Sequence, residues 1–358
     1  VKLPDTLEGY KPSAFLGKSP ARRDLIEGRL PRGKLVVLAG EGDVGKSWLL
    51  LSLFEAINNG AQGECFGGKV VQRGLPCVFL SGEDDFSTVD TRLKTIRTTT
   101  TEPAEHGAIV TAPDIGTMHL VRRDYDNTIK PTDVYAWLDK QLQAQRDAFG
   151  ELGFLAVDTL STFLPVNANA PEEVQGAYAY LTHLAAKHDV CIILTHHVAK
   201  GSEAGSRAAI RGSTAIVDGA RAAYNFFRLP EDKAQKVRDV VGLDGEVLRL
   251  QIVKNNLGLR RDPVTFIRTA DGTLGDISGL IALGEVDPEA ALVQVVADAL
   301  AQGQRLTKTG KAGLFASKAS AWPGGLGAMA KAKLEGLADA CIAKGLIRAA
   351  ENGALVPA

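Results

Sequence analysis

Eight residues constrain this chain more than any others: Gly40-Glu41-Gly42-Asp43-Val44-Gly45-Lys46-Ser47. They follow the short apolar run from Lys34 to Ala39 and precede Trp48 to Asn58, where apolar residues recur at helical spacing. The pattern G-x-x-x-x-G-K-S between a strand and a helix has a physical meaning. Its glycines let consecutive backbone N–H groups turn inward around a β-phosphate, and the helix dipole adds positive potential. Lys46 is placed to reach β/γ oxygens, and the Ser47 hydroxyl suits Mg²⁺. The stretch therefore implies a nucleoside triphosphate, with ATP expected, and Gly40 through Ser47 with the adjoining Trp48 as its contacts.

Gly40, Gly42 and Gly45 also satisfy G-x-G-x-x-G, a dinucleotide fingerprint. That site wants an acidic residue about 20 positions further on, ending the next strand. Here the next strand ends near Ser81, too far away, and Lys46-Ser47 would go unexplained.

The rest of the chain supplies the frame. Strands are expected at Cys77 to Leu80, Phe154 to Val157 and Val190 to Thr195, with helices at Asp90 to Thr98, Val134 to Phe149 and Glu172 to His188. That rhythm predicts an α/β fold with a mostly parallel sheet covered on both faces. Later strands are expected at Ala220 to Arg228 and Val247 to Lys254, with Val264 to Arg268 ending the sheet. The organisation read from this is a polar arm over residues 1–30, a core over 31–281 and a small α-rich unit over 285–358. That unit carries helices at Ala290 to Gln302 and Ala328 to Lys344, then a hairpin turning at Glu351-Asn352-Gly353. It reads as a winged helix or as a plain helical tail.

Composition excludes more than it selects. With 45% hydrophobic and 23% charged residues over 358 positions, the chain is long enough for a full core and about two domains. Net charge is −1, so any polyanion site must be a local patch. Four scattered cysteines without C-x-x-C spacing fit a reduced, cytoplasmic protein, and no run approaches the length of a membrane helix.

Hydrolysis needs carboxylates at the same sheet edge. Phe154-Leu155-Ala156-Val157-Asp158 is an apolar strand ending in an acid, about 110 residues beyond the loop, and Asp158 is expected to organise the metal with Ser47. Ser81-Gly82-Glu83-Asp84-Asp85 places three acids just past the second strand. Glu83 is the expected general base, with Asp84 as the fallback. His196-His197 closes the strand at Val190 to Thr195, where one of the pair is expected to sense the γ-phosphate.

Together these motifs resemble the RecA-like P-loop ATPases, and within them the hexameric replicative helicases of the plasmid RepA type. The resemblance spans roughly residues 30–275. It rests on the phosphate loop, Ser81-Gly82-Glu83-Asp84, Leu155-Ala156-Val157-Asp158-Thr159-Leu160, Leu194 to Gly201, and Arg211-Gly212-Ser213-Thr214-Ala215-Ile216-Val217-Asp218. The resemblance implies Glu83 as catalytic glutamate, Arg92 as an arginine near the nucleotide, and His196, with His197 beside it, as the polar sensor. It further implies Arg221 as an arginine finger and Lys254 as a second cation, both acting on a neighbouring subunit's nucleotide within a hexameric ring. The segment from Gly284 onward has no counterpart in that motif set, and Gly219 to Tyr224 is more Ala-rich than its pattern.

DNA contacts are expected on the loop after the histidines, at Lys200, Arg207 and Arg211. Phe163 to Pro171 is a weaker second loop. Between Arg305 and Lys333 lie six basic residues and no acid, with Lys308 and Lys311 among the expected contacts. The resulting expectation is an ATP- and Mg²⁺-dependent motor of DNA replication acting on single-stranded DNA. An ATP-dependent recombination mediator or loader without unwinding activity is the alternative, and small-molecule phosphoryl transfer is disfavoured because no lid is evident.

Overall fold

The computed structural model describes residues 22–59, 64–72, 74–97, 106–198, 205, 207, 210, 214–259, 262–284, 288–318, 322, 326 and 329–357. Its frame is a nine-stranded sheet. The strands, in chain order, are β1 (Leu35–Gly40), β2 (Val78–Ser81), β3 (Ala108–Thr111), β4 (Phe154–Asp158), β5 (Cys191–His197), β6 (Ala222–Arg228), β7 (Glu246–Asn255), β8 (Val264–Arg268) and β9 (Leu274–Asp276). Their spatial order is β9-β8-β7-β6-β1-β5-β4-β2-β3. Pairings from β6 across to β3 are parallel, and those among β6, β7, β8 and β9 are antiparallel. This is the RecA-like α/β arrangement, with β5 inserted between the phosphate-loop strand β1 and the Asp158 strand β4.

Period-two alternation explains why the central strands read as unbroken apolar runs. Leu35, Val37, Leu155, Val157, Ile192 and Leu194 enter one core, under the helices Asp133–Phe149 and Pro171–His188. Val36, Leu38, Phe154, Ala156 and Ile193 enter the other, against the helix Lys46–Asn58. The helix Phe86–Ile96 joins that second core through Val89 and Leu93, and is started by Asp85, whose carboxylate accepts from the Thr88 N–H at 2.8 Å.

Two expectations need correcting. The sheet does not end at Arg268, because β9 pairs with β8 beyond it. β9 is three residues long and has no buried side chain, so it leaves no apolar signature. The polar arm becomes core well before residue 30: Asp24–Ile26 and Leu30–Pro31 form an antiparallel pair in which Leu25, Ile26 and Leu30 are fully buried. Residues 1–21 of the expected arm lie outside the described residues. Edge strand β3 also escapes sequence reading, because only Thr111 of its four residues is buried.

Residues beyond 288 build a separate core from Leu292, Val296, Leu314, Leu334, Ala338, Ile347 and Leu355. Its order is helix Pro288–Ala301, short helix Leu314–Ser317, helix Lys331–Ala343, then the hairpin Ile347–Ala349 with Leu355–Pro357. Thr307 bridges to both Gly313 and Ala354, tying the hairpin back to the helices.

Candidate active site

In a parallel sheet, side chains at the carboxyl ends of the strands converge on one edge. Here β1, β2, β4 and β5 deliver the phosphate loop, Glu83, Asp158 and His197 to one open cleft. Gly45, at φ 94°, occupies a backbone region closed to most side chains and starts the helix Lys46–Asn58. A side chain at Gly40 would lie 2.5 Å from the Phe226 carbonyl oxygen, so β6 could not pack so closely against any other residue.

Lys46 is buried, and its ammonium donates to the carbonyl oxygens of Gly40 (3.0 Å) and Glu41 (2.7 Å). Burial lowers its pKa, while the carboxylates of Asp158 and Glu83 oppose that shift. Asp158 is nearly fully buried, and burial raises its pKa despite hydrogen bonds from Thr195 Oγ1 and Ser47 Oγ, the latter at 2.7 Å. A hydroxyl and a carboxylate touching at the mouth of a phosphate loop are hard oxygen donors of the kind Mg²⁺ takes beside water and phosphate oxygens. The residues fit that ion, which Ser47 and Asp158 would hold.

Glu83 lies about half open to solvent, with His197 Nε2 and Thr159 Oγ1 each 3.5 Å from its Oε1. Its pKa is lowered chiefly by the His197 hydrogen bond, with Lys46 adding to the effect, so Glu83 stays an acceptor. Its neighbours are committed elsewhere. Asp84, the fallback base, forms a two-pronged pair with Arg92, whose Nη2 donates to Oδ1 at 3.0 Å, and Asp85 caps a helix. Arg92 also lies over the Trp48 ring at 5.8 Å, and both residues line the cleft. The two histidines divide by strand alternation: His197 borders the cleft, and His196 is buried on the opposite face of β5.

The remaining expected residues lie elsewhere. Arg221 precedes β6, and its N–H bonds the Leu35 carbonyl oxygen at 3.0 Å, so it stands at the amino end of β1. Lys254 is opposite Ala223 on β7, and its ammonium donates to the Asp218 carbonyl oxygen at 2.6 Å. Partial burial lowers the Lys254 pKa; Asp218 resists this, and the nearby Arg207 and Arg221 reinforce it. Arg207 forms an ion pair with Asp218. Lys200 and Arg211 lie outside the described residues. Lys308 is held by both oxygens of Asp339, at 2.5 and 2.7 Å, which offsets its charge, whereas Lys311 is exposed.

Sequence reading did not single out Arg228 and Arg268, which border the loop from β6 and β8. They come from strands far away in the chain, and no local motif marks them.

A phosphate loop, a buried carboxylate on the strand beyond an inserted one, and a glutamate on the next strand define a RecA-like P-loop ATPase. Residues 4–203 match the family described as an AAA domain, and the chain belongs to that family. Among solved structures, it is similar to a KaiC-like protein from the hyperthermophilic archaeon Pyrococcus horikoshii OT3. The two share 15% identity over 71% of this chain and 98% of that one, with a TM-score of 0.41. No curated protein matches the chain. Among the described residues, no helix is long and apolar enough to cross a membrane.

Proposed function

We propose that the protein is a ring-forming motor, hexameric by its motif resemblance, that couples ATP hydrolysis to movement on single-stranded DNA as a replicative helicase. The carrying observation is the placement of Arg221 and Lys254. Arg221 stands at the amino end of β1, level with Leu35 and five residues from Gly40, which is about 17 Å at the rise of a strand, and Lys254 stands two strands away, level with Val37. An arginine there is out of reach of its own phosphate loop and free to serve a neighbour's. Arg207, on the segment after β5, joins the same cluster through Asp218. In this reading Arg207, as a DNA contact, would link DNA phosphates to the groups that complete the adjoining site.

Within one site each residue has a task. Lys46 turns from the Gly40 and Glu41 carbonyls to the β/γ oxygens. Glu83, kept ionised by His197, accepts a proton from the attacking water. Ser47 and Asp158 hold Mg²⁺, which supplies charge neutralisation across the phosphates when bound. Arg221 and Lys254 of the next subunit meet the charge that develops on the γ-phosphoryl group.

The test is ATP turnover with and without single-stranded DNA, followed by strand displacement on a forked duplex. DNA-stimulated turnover with displacement is expected. Stimulated turnover without displacement would favour the mediator or loader instead, and no response to DNA at low salt would overturn both readings.

A further inference from the structure

The antiparallel half of the sheet reaches the phosphate loop through three charged side chains. Strands β6 and β8 each finish in an arginine, Arg228 and Arg268, and β7 begins between them with Glu246. Arg228 Nη2 donates to the Asp43 carbonyl oxygen at 2.7 Å, and Arg268 Nη1 donates to the same oxygen at 2.8 Å. A carbonyl oxygen has two lone pairs, and here both meet cations. Glu246 offsets the repulsion between the guanidiniums: it accepts from Arg228 Nε and pairs with Arg268 Nη2 at 2.5 Å.

The held residue is also unusual. Asp43 has φ 60°, in the left-handed region that residues other than glycine seldom enter. Its carbonyl direction sets the path of the loop's tip, and that carbonyl is gripped from outside the loop.

The loop's own composition explains why it needs such support. Glu41 and Asp43 place two carboxylates on a cradle for a polyanion. Arg228 faces both, 3.6 Å from Glu41 and 3.4 Å from Asp43. Its charge also extends to Lys46, where it adds to the larger lowering effect of burial on the ammonium.

We propose that Arg228 and Arg268 are positioning residues for the triphosphate. They fix the tip of the phosphate loop through the Asp43 carbonyl and offset the Glu41 and Asp43 carboxylates, so that the loop accepts a polyanion. The inference rests on the loop being the nucleotide site and does not depend on a ring or on DNA. Because the clamp acts on the loop and not on the attacking water, its loss weakens nucleotide binding and leaves turnover at saturation nearly unchanged.

The experiment is calorimetric titration with MgATP and MgADP, alongside KM and kcat, with melting curves to confirm folding. Arg228→Ala is expected to raise both dissociation constants and KM about tenfold, with kcat within about twofold. Adding Glu41→Gln to that variant removes the uncompensated carboxylate and recovers most of the loss. Arg268→Ala costs less and is not rescued by Glu41→Gln. A folded Arg228→Ala protein that binds MgATP within twofold of the parent, or one whose loss Glu41→Gln does not relieve, overturns the proposal. If Arg228→Ala does not fold, Glu41→Gln alone decides: tighter MgATP binding supports the clamp, and unchanged or weaker binding overturns it. A parent protein that binds no MgATP would instead sink the nucleotide reading itself.

Discussion

The two ends of β1 are equipped in opposite ways. At its carboxyl end, polar groups are paired, and two of them are buried as well: Lys46 with carbonyls and Asp158 with Ser47 and Thr195, beside the more open pair of Glu83 with His197. At its amino end, cations gather around one carboxylate, Asp218, and Arg221 stands exposed. The first end looks inward to a bound triphosphate. The second has cations to spare and no phosphate of its own to meet. Under the proposed function, one chain would carry the halves of two different sites.

The largest effect that bears on this contrast is expected at the loop. Lys46→Ala should lower ATP turnover by about 10³ or more, measured by phosphate release, since it removes the buried cation that meets the β/γ oxygens. Intact turnover would remove the carboxyl end from the reaction.

Arg221→Ala comes next, with a loss of about 10³ in kcat and little change in nucleotide affinity. Mixing these subunits with Lys46→Ala subunits sharpens the contrast, because each supplies the half the other lacks. Partial recovery of turnover is the expected outcome. A flat mixing curve would mean that the amino end serves no neighbour.

Glu83→Gln should cost about 10² in kcat while MgATP binding persists, as for loss of a general base at an otherwise intact site. Turnover near the parent level would shift the role to another group.

The smallest effect is a displacement in pH. His197 holds the Glu83 pKa below its ordinary value, so Glu83 remains ionised to lower pH than a free glutamate. As pH falls, turnover is lost only when that lowered pKa is passed. His197→Ala should therefore move the acid limb of the kcat/KM profile upward, toward the ordinary glutamate range. An unmoved limb would separate His197 from Glu83.

The carboxyl end was largely legible from sequence, and the reason is physical. Phosphate binding by backbone N–H groups demands consecutive residues, so Gly40 to Ser47 form a contiguous motif. Asp158 ends an apolar strand and Glu83 lies two residues beyond another, which marks their edge. Two adjacent pairs of candidates differ in their packing: Asp84 is paired with Arg92, and alternation along β5 turns the buried His196 away from the cleft that His197 borders. The other half of the sheet was less legible. Arg228, Glu246 and Arg268 meet only because three strands align in register, and β9 is too short and too open to show a pattern. In the last unit, six cations without an acid read as a basic patch, yet Lys308 finds Asp339 from a later helix.

The bond from Arg221 N–H to the Leu35 carbonyl has a geometric consequence for any assembly. It ties the outward-facing cation to the same strand that carries the loop, through backbone that can neither stretch nor slide. The strand is a ruler. In a closed ring its length would fix how far each subunit's own phosphate loop lies from the cation it offers its neighbour.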